Sequence, residues 1–86
     1  MVSFCDKVIA EIMSAPSDDE LKATINKSLI AYKANRGSDE VMYTINMIVS
    51  LQAAACTKNI SDKSLSNLRM AVEIFTEYHM NHDRPF

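Results

Sequence analysis

Residues 15–20 read Ala15-Pro16-Ser17-Asp18-Asp19-Glu20, and they stop one helix and start another with almost nothing between. The residue before a proline is pushed out of the α region, so a helix arriving at Ala15 ends there. Ser17 with Glu20 three residues on is a capping box: the serine caps forward onto exposed backbone N–H groups and the glutamate reaches back. A chain that breaks and restarts in so few residues folds back on itself, which makes the two helices antiparallel neighbours.

Upstream of that junction, Ser3 offers a cap with Asp6 three residues on, and Phe4, Val8, Ile9 and Ile12 recur at helical spacing, predicting a first helix over 3–15. Downstream, Leu21, Ile25, Leu29 and Tyr32 mark the inner face of a second helix over 17–35. Asn35-Arg36-Gly37 closes it, with the chain's only glycine free to take the left-handed conformation that finishes a helix. Ser38-Asp39-Glu40 opens a third helix over 38–57, and its apolar residues (Val41, Met42, Ile45, Met47, Ile48, Val49, Leu51, Ala53, Ala54, Ala55) wrap most of the circumference. Tyr43, Asn46 and Ser50 are expected to form its narrow polar strip. A helix so apolar is either central or carries a second face that meets another molecule.

Thr57-Lys58-Asn59 breaks the third helix, and Ile60-Ser61-Asp62-Lys63-Ser64-Leu65 starts a fourth over 61–80. Ser61 caps, while Ile60 and Leu65 are spaced as a hydrophobic staple. Leu65, Leu68, Val72 and Phe75, widened by Ala71 and Tyr78, form its stripe, and fraying is expected near Met80 to His82. The predicted architecture is all-α: an antiparallel up-and-down four-helix bundle, with one domain over 1–80 and a short tail over 81–86. Helix one, the shortest, is expected to tolerate a skewed seat.

Composition narrows the function. At 86 residues the chain has room for one core, burying about 60 to 65% of its unfolded surface. It is 48% hydrophobic and 23% charged, enough apolar content to fold rather than remain a disordered tail. A net charge of −2 supplies no broad attraction to a phosphate backbone or an anionic lipid surface. Nucleic acid is therefore not an expected partner. Helices two and three resemble a helix-turn-helix in outline, but the would-be recognition helix begins Ser38-Asp39-Glu40, whose acids meet phosphates with the wrong sign. No run approaches the ~20 apolar residues of a membrane span, so direct membrane insertion is not expected. Asp6, Lys7 and Glu11 interrupt the N-terminus where a secretory signal needs an apolar core, and a cytosolic protein is expected. Cys5 and Cys56 lack CxxC spacing and lie in apolar helical surroundings, where a thiol acts as a small hydrophobe.

Catalysis finds little foothold. Asp6, Asp18, Asp19, Glu20, Asp39, Glu40 and Asp62 all fall in first turns, where they complement the positive end of the helix dipole. Seven of the eleven acids are thus accounted for by capping rather than by acid–base chemistry. A nucleophile would need a serine or cysteine held by a histidine and an orienting acid, and four serines, Ser3, Ser17, Ser38 and Ser61, already read as caps. There is no glycine-rich phosphate cradle. His79 and His82, three apart beside Asp83, supply at most two histidine ligands where zinc needs three or four donors in all. No enzyme, cofactor or metal is expected. The six methionines, Met13, Met42, Met47 and Met70 among them, read mainly as core filling, with an adaptable contact surface as the alternative.

The order of these features resembles a known family. Ile12-Met13-Ser14-Ala15-Pro16 at the end of helix one, then Glu20-Leu21-Lys22, Lys27-Ser28-Leu29 and the Asn35-Arg36-Gly37 break, are similar to the immunity proteins for pediocin-like (class IIa) bacteriocins, the enterocin A immunity family. The likeness continues through an apolar third helix with Val41, Ile45 and Ile48, its alanine-rich end, Lys58, and a final amphipathic helix. The resemblance implies a bacterial, cytosolic, non-catalytic bundle conferring antimicrobial peptide resistance. It implies recognition, from the cytoplasmic side, of the membrane receptor complex: the mannose phosphotransferase permease occupied by bacteriocin. Carried over by position, the partner-binding residues are Arg69, Glu73, Glu77, His79, Met80, Asn81, His82, Asp83, Arg84 and Phe86, on the exposed side of helix four and beyond. The alternative is a small helical regulatory or chaperone-like module that uses the surplus apolar surface of helix three. The expected state is a monomer or weak homodimer.

Overall fold

Both serine starts close as their spacing demands. In a computed structural model of the protein, which describes residues 4–36 and 40–82, the Glu20 backbone N–H donates to Ser17 Oγ at 3.2 Å and that of Ser64 to Ser61 Oγ at 3.1 Å. The first intrahelical bonds follow at once, Leu21 N–H to Ser17 O at 3.0 Å and Leu65 N–H to Ser61 O at 2.9 Å. The helices are α1 (Phe4–Met13), α2 (Asp18–Arg36), α3 (Glu40–Ala55) and α4 (Asp62–His82), and no strand occurs among the described residues. The predicted caps at Ser3, Gly37, Ser38 and Asp39 lie outside the described residues.

Helix ends moved by one or two residues against the sequence reading, each for a local reason. Rather than running to Ala15, α1 stops at Met13, where the Ser14 hydroxyl folds back onto Ala10 O at 3.0 Å and Ala15 N–H tightens onto Ile12 O at 3.2 Å. At its own end α3 tightens the same way, Cys56 N–H to Ala53 O at 3.2 Å and Thr57 N–H to Ala54 O at 3.1 Å, so its last helical residue is Ala55 rather than 57. Asn59 then takes a left-handed φ of 65°, a conformation that asparagine tolerates better than most residues, and the chain turns into α4. At its C-terminus α4 runs two residues past the expected bound of 80, to His82.

Contacts between the ends establish the up-and-down order. The C-terminus of α1 meets the start of α4, through Asn67 and Ser64. At the opposite end, Phe4 of α1 packs on Tyr32 of α2 and Tyr43 of α3, with ring centroids 6.1 and 5.8 Å apart, and Tyr43 meets Phe75 of α4 edge-on at 6.0 Å. Successive helices therefore run antiparallel, and α3 with α4 makes the most extensive pairing. The core is Val8, Ile9, Ile12, Ala15, Leu21, Ile25, Tyr43, Met47, Leu51, Leu68, Ala71 and Phe75. Burying a side chain of the size of Ile12 or Phe75 contributes about 1.5–3 kcal/mol.

The face of α3 differs from expectation. Tyr43, expected on the polar strip, is 1% exposed. Its ring stacks on Tyr32 at 4.3 Å and its hydroxyl donates to Ser28 Oγ at 3.0 Å, which in turn donates to Ile25 O at 2.7 Å. A tyrosine with a partner for its hydroxyl is a core residue in all but name. The outward face holds Met42, Ile45 and Val49 instead.

One polar side chain does structural work that no local rule announces. Asn67 on α4 is 4% exposed, and its amide donates to Ile12 O and Ala15 O at 3.0 Å and to Met13 O at 3.4 Å. Ser64 adds a bond to Met13 O at 3.1 Å. The last carbonyls of α1 have no partner within their own helix. Here a different helix satisfies them, which pins α1 to α4.

Candidate partner-binding face on the fourth helix

Along α4 the inner row Leu68, Ala71 and Phe75 is fully buried, and helical periodicity then dictates what faces out. Arg69, Glu73, Glu77 and Asn81 succeed one another at steps of four and are exposed. Beside them Val72, Thr76 and Met80 form a second row, half-buried for the first two and 60% exposed for Met80. Together Val72, Glu73, Thr76, Glu77, Met80 and Asn81 line a shallow hollow of about 350 Å³. Two carboxylates, an amide and a thioether surround a mostly apolar floor.

Of the residues the sequence singled out, the structure gathers Glu73, Glu77, Met80 and Asn81 at this hollow, with Arg69 one turn before Glu73. His79 does not join them. It lies half-buried on the α3 side, its Nδ1 3.2 Å from the hydroxyl of Thr44, itself 1% exposed. The side chain of His82 and residues Asp83, Arg84 and Phe86 lie outside the described residues. Val72 and Thr76, the floor of the hollow, were assigned by the sequence to the core stripe or passed over. The signal was present, since each lies three residues after an exposed position, Arg69 and Glu73, but periodicity alone does not say where an apolar stripe stops and a groove floor begins.

A larger cleft, about 420 Å³, separates α1 from α2, bordered by Phe4, Lys7, Glu11, Glu20, Lys27 and Ala31 among others. Its two lysines and two glutamates balance in charge. Among the described residues no three His, Cys, Asp or Glu side chains come together as a metal cluster would require. Cys5 is half-buried and Cys56 exposed. No helix among the described residues is long and apolar enough to cross a membrane.

Comparison with models of known protein families, with curated proteins and with solved structures gave no match to this chain.

Proposed function

We propose that this chain is a non-catalytic immunity protein of the pediocin-like bacteriocin type, acting in the cytosol on the bacteriocin-occupied mannose phosphotransferase permease through α4 and the residues that follow it. What supports the reading is the resemblance in order of elements and junctions, together with the observation that carries it: the last helix packs on all three others and still presents Glu73, Glu77, Met80 and Asn81 around an apolar floor. Methionine, here Met80 at the rim, and arginine, here Arg69 one turn before Glu73, are enriched at protein contacts.

The test is survival. Expression of the chain in a strain sensitive to pediocin-like bacteriocins is expected to protect it, and the double substitution Glu73→Lys with Glu77→Lys is expected to remove protection by at least tenfold in inhibitory concentration. Both sites are exposed, so the variant should keep its unfolding midpoint within about 0.5 kcal/mol of the parent. Full protection by the double variant would exclude the α4 hollow. Failure of the parent to protect against any such bacteriocin would end the immunity reading.

A further inference from the structure

Residues 41–57 carry no charged side chain, yet much of the outward face of α3 is open to solvent. Met42 is 49% exposed, Ile45 38% and Val49 60%, and Asn46, Gln52, Ala53 and Cys56 are exposed beside them. These form two interleaved rows with steps of three and four, one through Met42, Ile45, Val49, Gln52 and Cys56 and the other through Met42, Asn46, Val49, Ala53 and Cys56, with Cys56 one residue past the helix end. Together they make a single stripe about 21 Å long. The folded bundle leaves this stripe uncovered.

We infer that the stripe is a self-docking surface, on which α3 of a second copy packs antiparallel about a twofold axis at Val49. An isologous contact sets residue i against j and j against i. Centred on Val49, that symmetry pairs Met42 with Cys56, Ile45 with Ala53, and Asn46 with Gln52. Each large side chain thereby meets a small one, and each amide meets an amide able to donate to it and accept from it. Val49 meets itself, with no charge to repel. Charge selects the same occupant: a twofold contact sets the central charge of a face against its own copy, and this face has none, whereas a partner chosen by charge would find nothing to read. Lipid is disfavoured, because an interfacial helix relies on lysines and arginines along its polar side, and α3 has neither from residue 41 through its last helical residue. One helix pair of this length buries less than the ~800 Å² per partner of a standard interface, so the dimer is weak and concentration-dependent.

Sedimentation equilibrium from micromolar to millimolar concentration tests it. The parent is expected to pass from monomer to dimer across that range, and Val49→Glu, at an exposed position, is expected to stay monomeric with unchanged helical circular dichroism. Val49→Cys is expected to form an intermolecular disulfide under mild oxidation far faster than Cys56 of the parent, because only position 49 lies on the axis. A parent that remains monomeric throughout, or a Val49→Glu variant that dimerises equally, overturns the proposal. Binding of a monomeric parent to neutral phosphatidylcholine vesicles, lost in Val49→Glu, overturns it in favour of lipid. None of these readings depends on bacteriocin protection, so this inference and the immunity reading fail separately.

Discussion

The starts of α2 and α4 and the end of α1 solve the same physical problem by opposite means. At each, backbone groups are left without an intrahelical partner. Ser17 and Ser61 satisfy theirs from three residues away, through Glu20 N–H and Ser64 N–H. The carbonyls of α1 are satisfied from more than fifty residues away, by Asn67 and Ser64. A local cap stabilises one helix whether or not the rest of the chain is folded. The Asn67 amide stabilises α1 only once α4 is in place, so it couples the two helices and contributes to the cooperativity of the whole bundle.

The sharpest way to break that contrast is at Asn67. Asn67→Ala leaves Ile12 O with Ala15 N–H and Met13 O with Ser64 Oγ, but Ala15 O loses the one side chain that reaches it. The expected loss is about 2–3 kcal/mol by urea unfolding. Asn67→Asp should cost more, since a carboxylate of the same shape offers no donor to three carbonyls. Its deficit should shrink as the pH falls through the carboxylate range, where the protonated group regains a donor. Equal losses for both variants, without pH dependence, would mean that packing rather than donation holds the α1 end.

Tyr43 sharpens the comparison at the other end of the bundle. Burial pushes its hydroxyl up to about 12, against which the bond to Ser28 is a smaller opposing influence. In the unfolded chain a tyrosine ionises near 10, so above that pH the unfolded state binds fewer protons than the native one. Stability from this group is complete below pH 10 and is lost as the pH rises toward 12, on the order of 2 kcal/mol. Tyr43→Phe should flatten that alkaline limb while costing about 1 kcal/mol at neutral pH for the missing hydrogen bond. An unchanged alkaline limb in the variant would assign it to other groups.

The smallest effects belong to the local caps. Ser17→Ala and Ser61→Ala should each cost about 1 kcal/mol. The two losses should add within about 0.5 kcal/mol, because the sites share no partner. Strong non-additivity would mean that these starts are coupled through the core and are not the local devices described above.

What could be read from the chain follows the same division. Ser17, Ser61 and the Pro16 break act over three or four residues, so four helices, their order and the starts of α2 and α4 were open to inspection. Leu21, Ile25, Leu68 and Phe75 faced inward as their spacing required. On α3 the spacing was ambiguous, because apolar residues surround nearly the whole helix. A hydroxyl partner on α2 and ring partners on three helices then drew Tyr43 inside and left Met42, Ile45 and Val49 out. His79, expected on the outer face, turned to Thr44 for a comparable reason, a partner 35 residues away.

Helix content, helix order and the antiparallel path were thus determined by the amino-acid sequence alone, since propensity, capping and breaking are short-range and cost or contribute the same in any fold. Tertiary structure decided which side chain seals α1, which tyrosine is buried, which histidine leaves the outer face and where the α4 hollow opens. Those choices depend on groups distant in the chain, and a polar atom's preference for one burial site over another exists only after its partner has been brought within hydrogen-bonding distance.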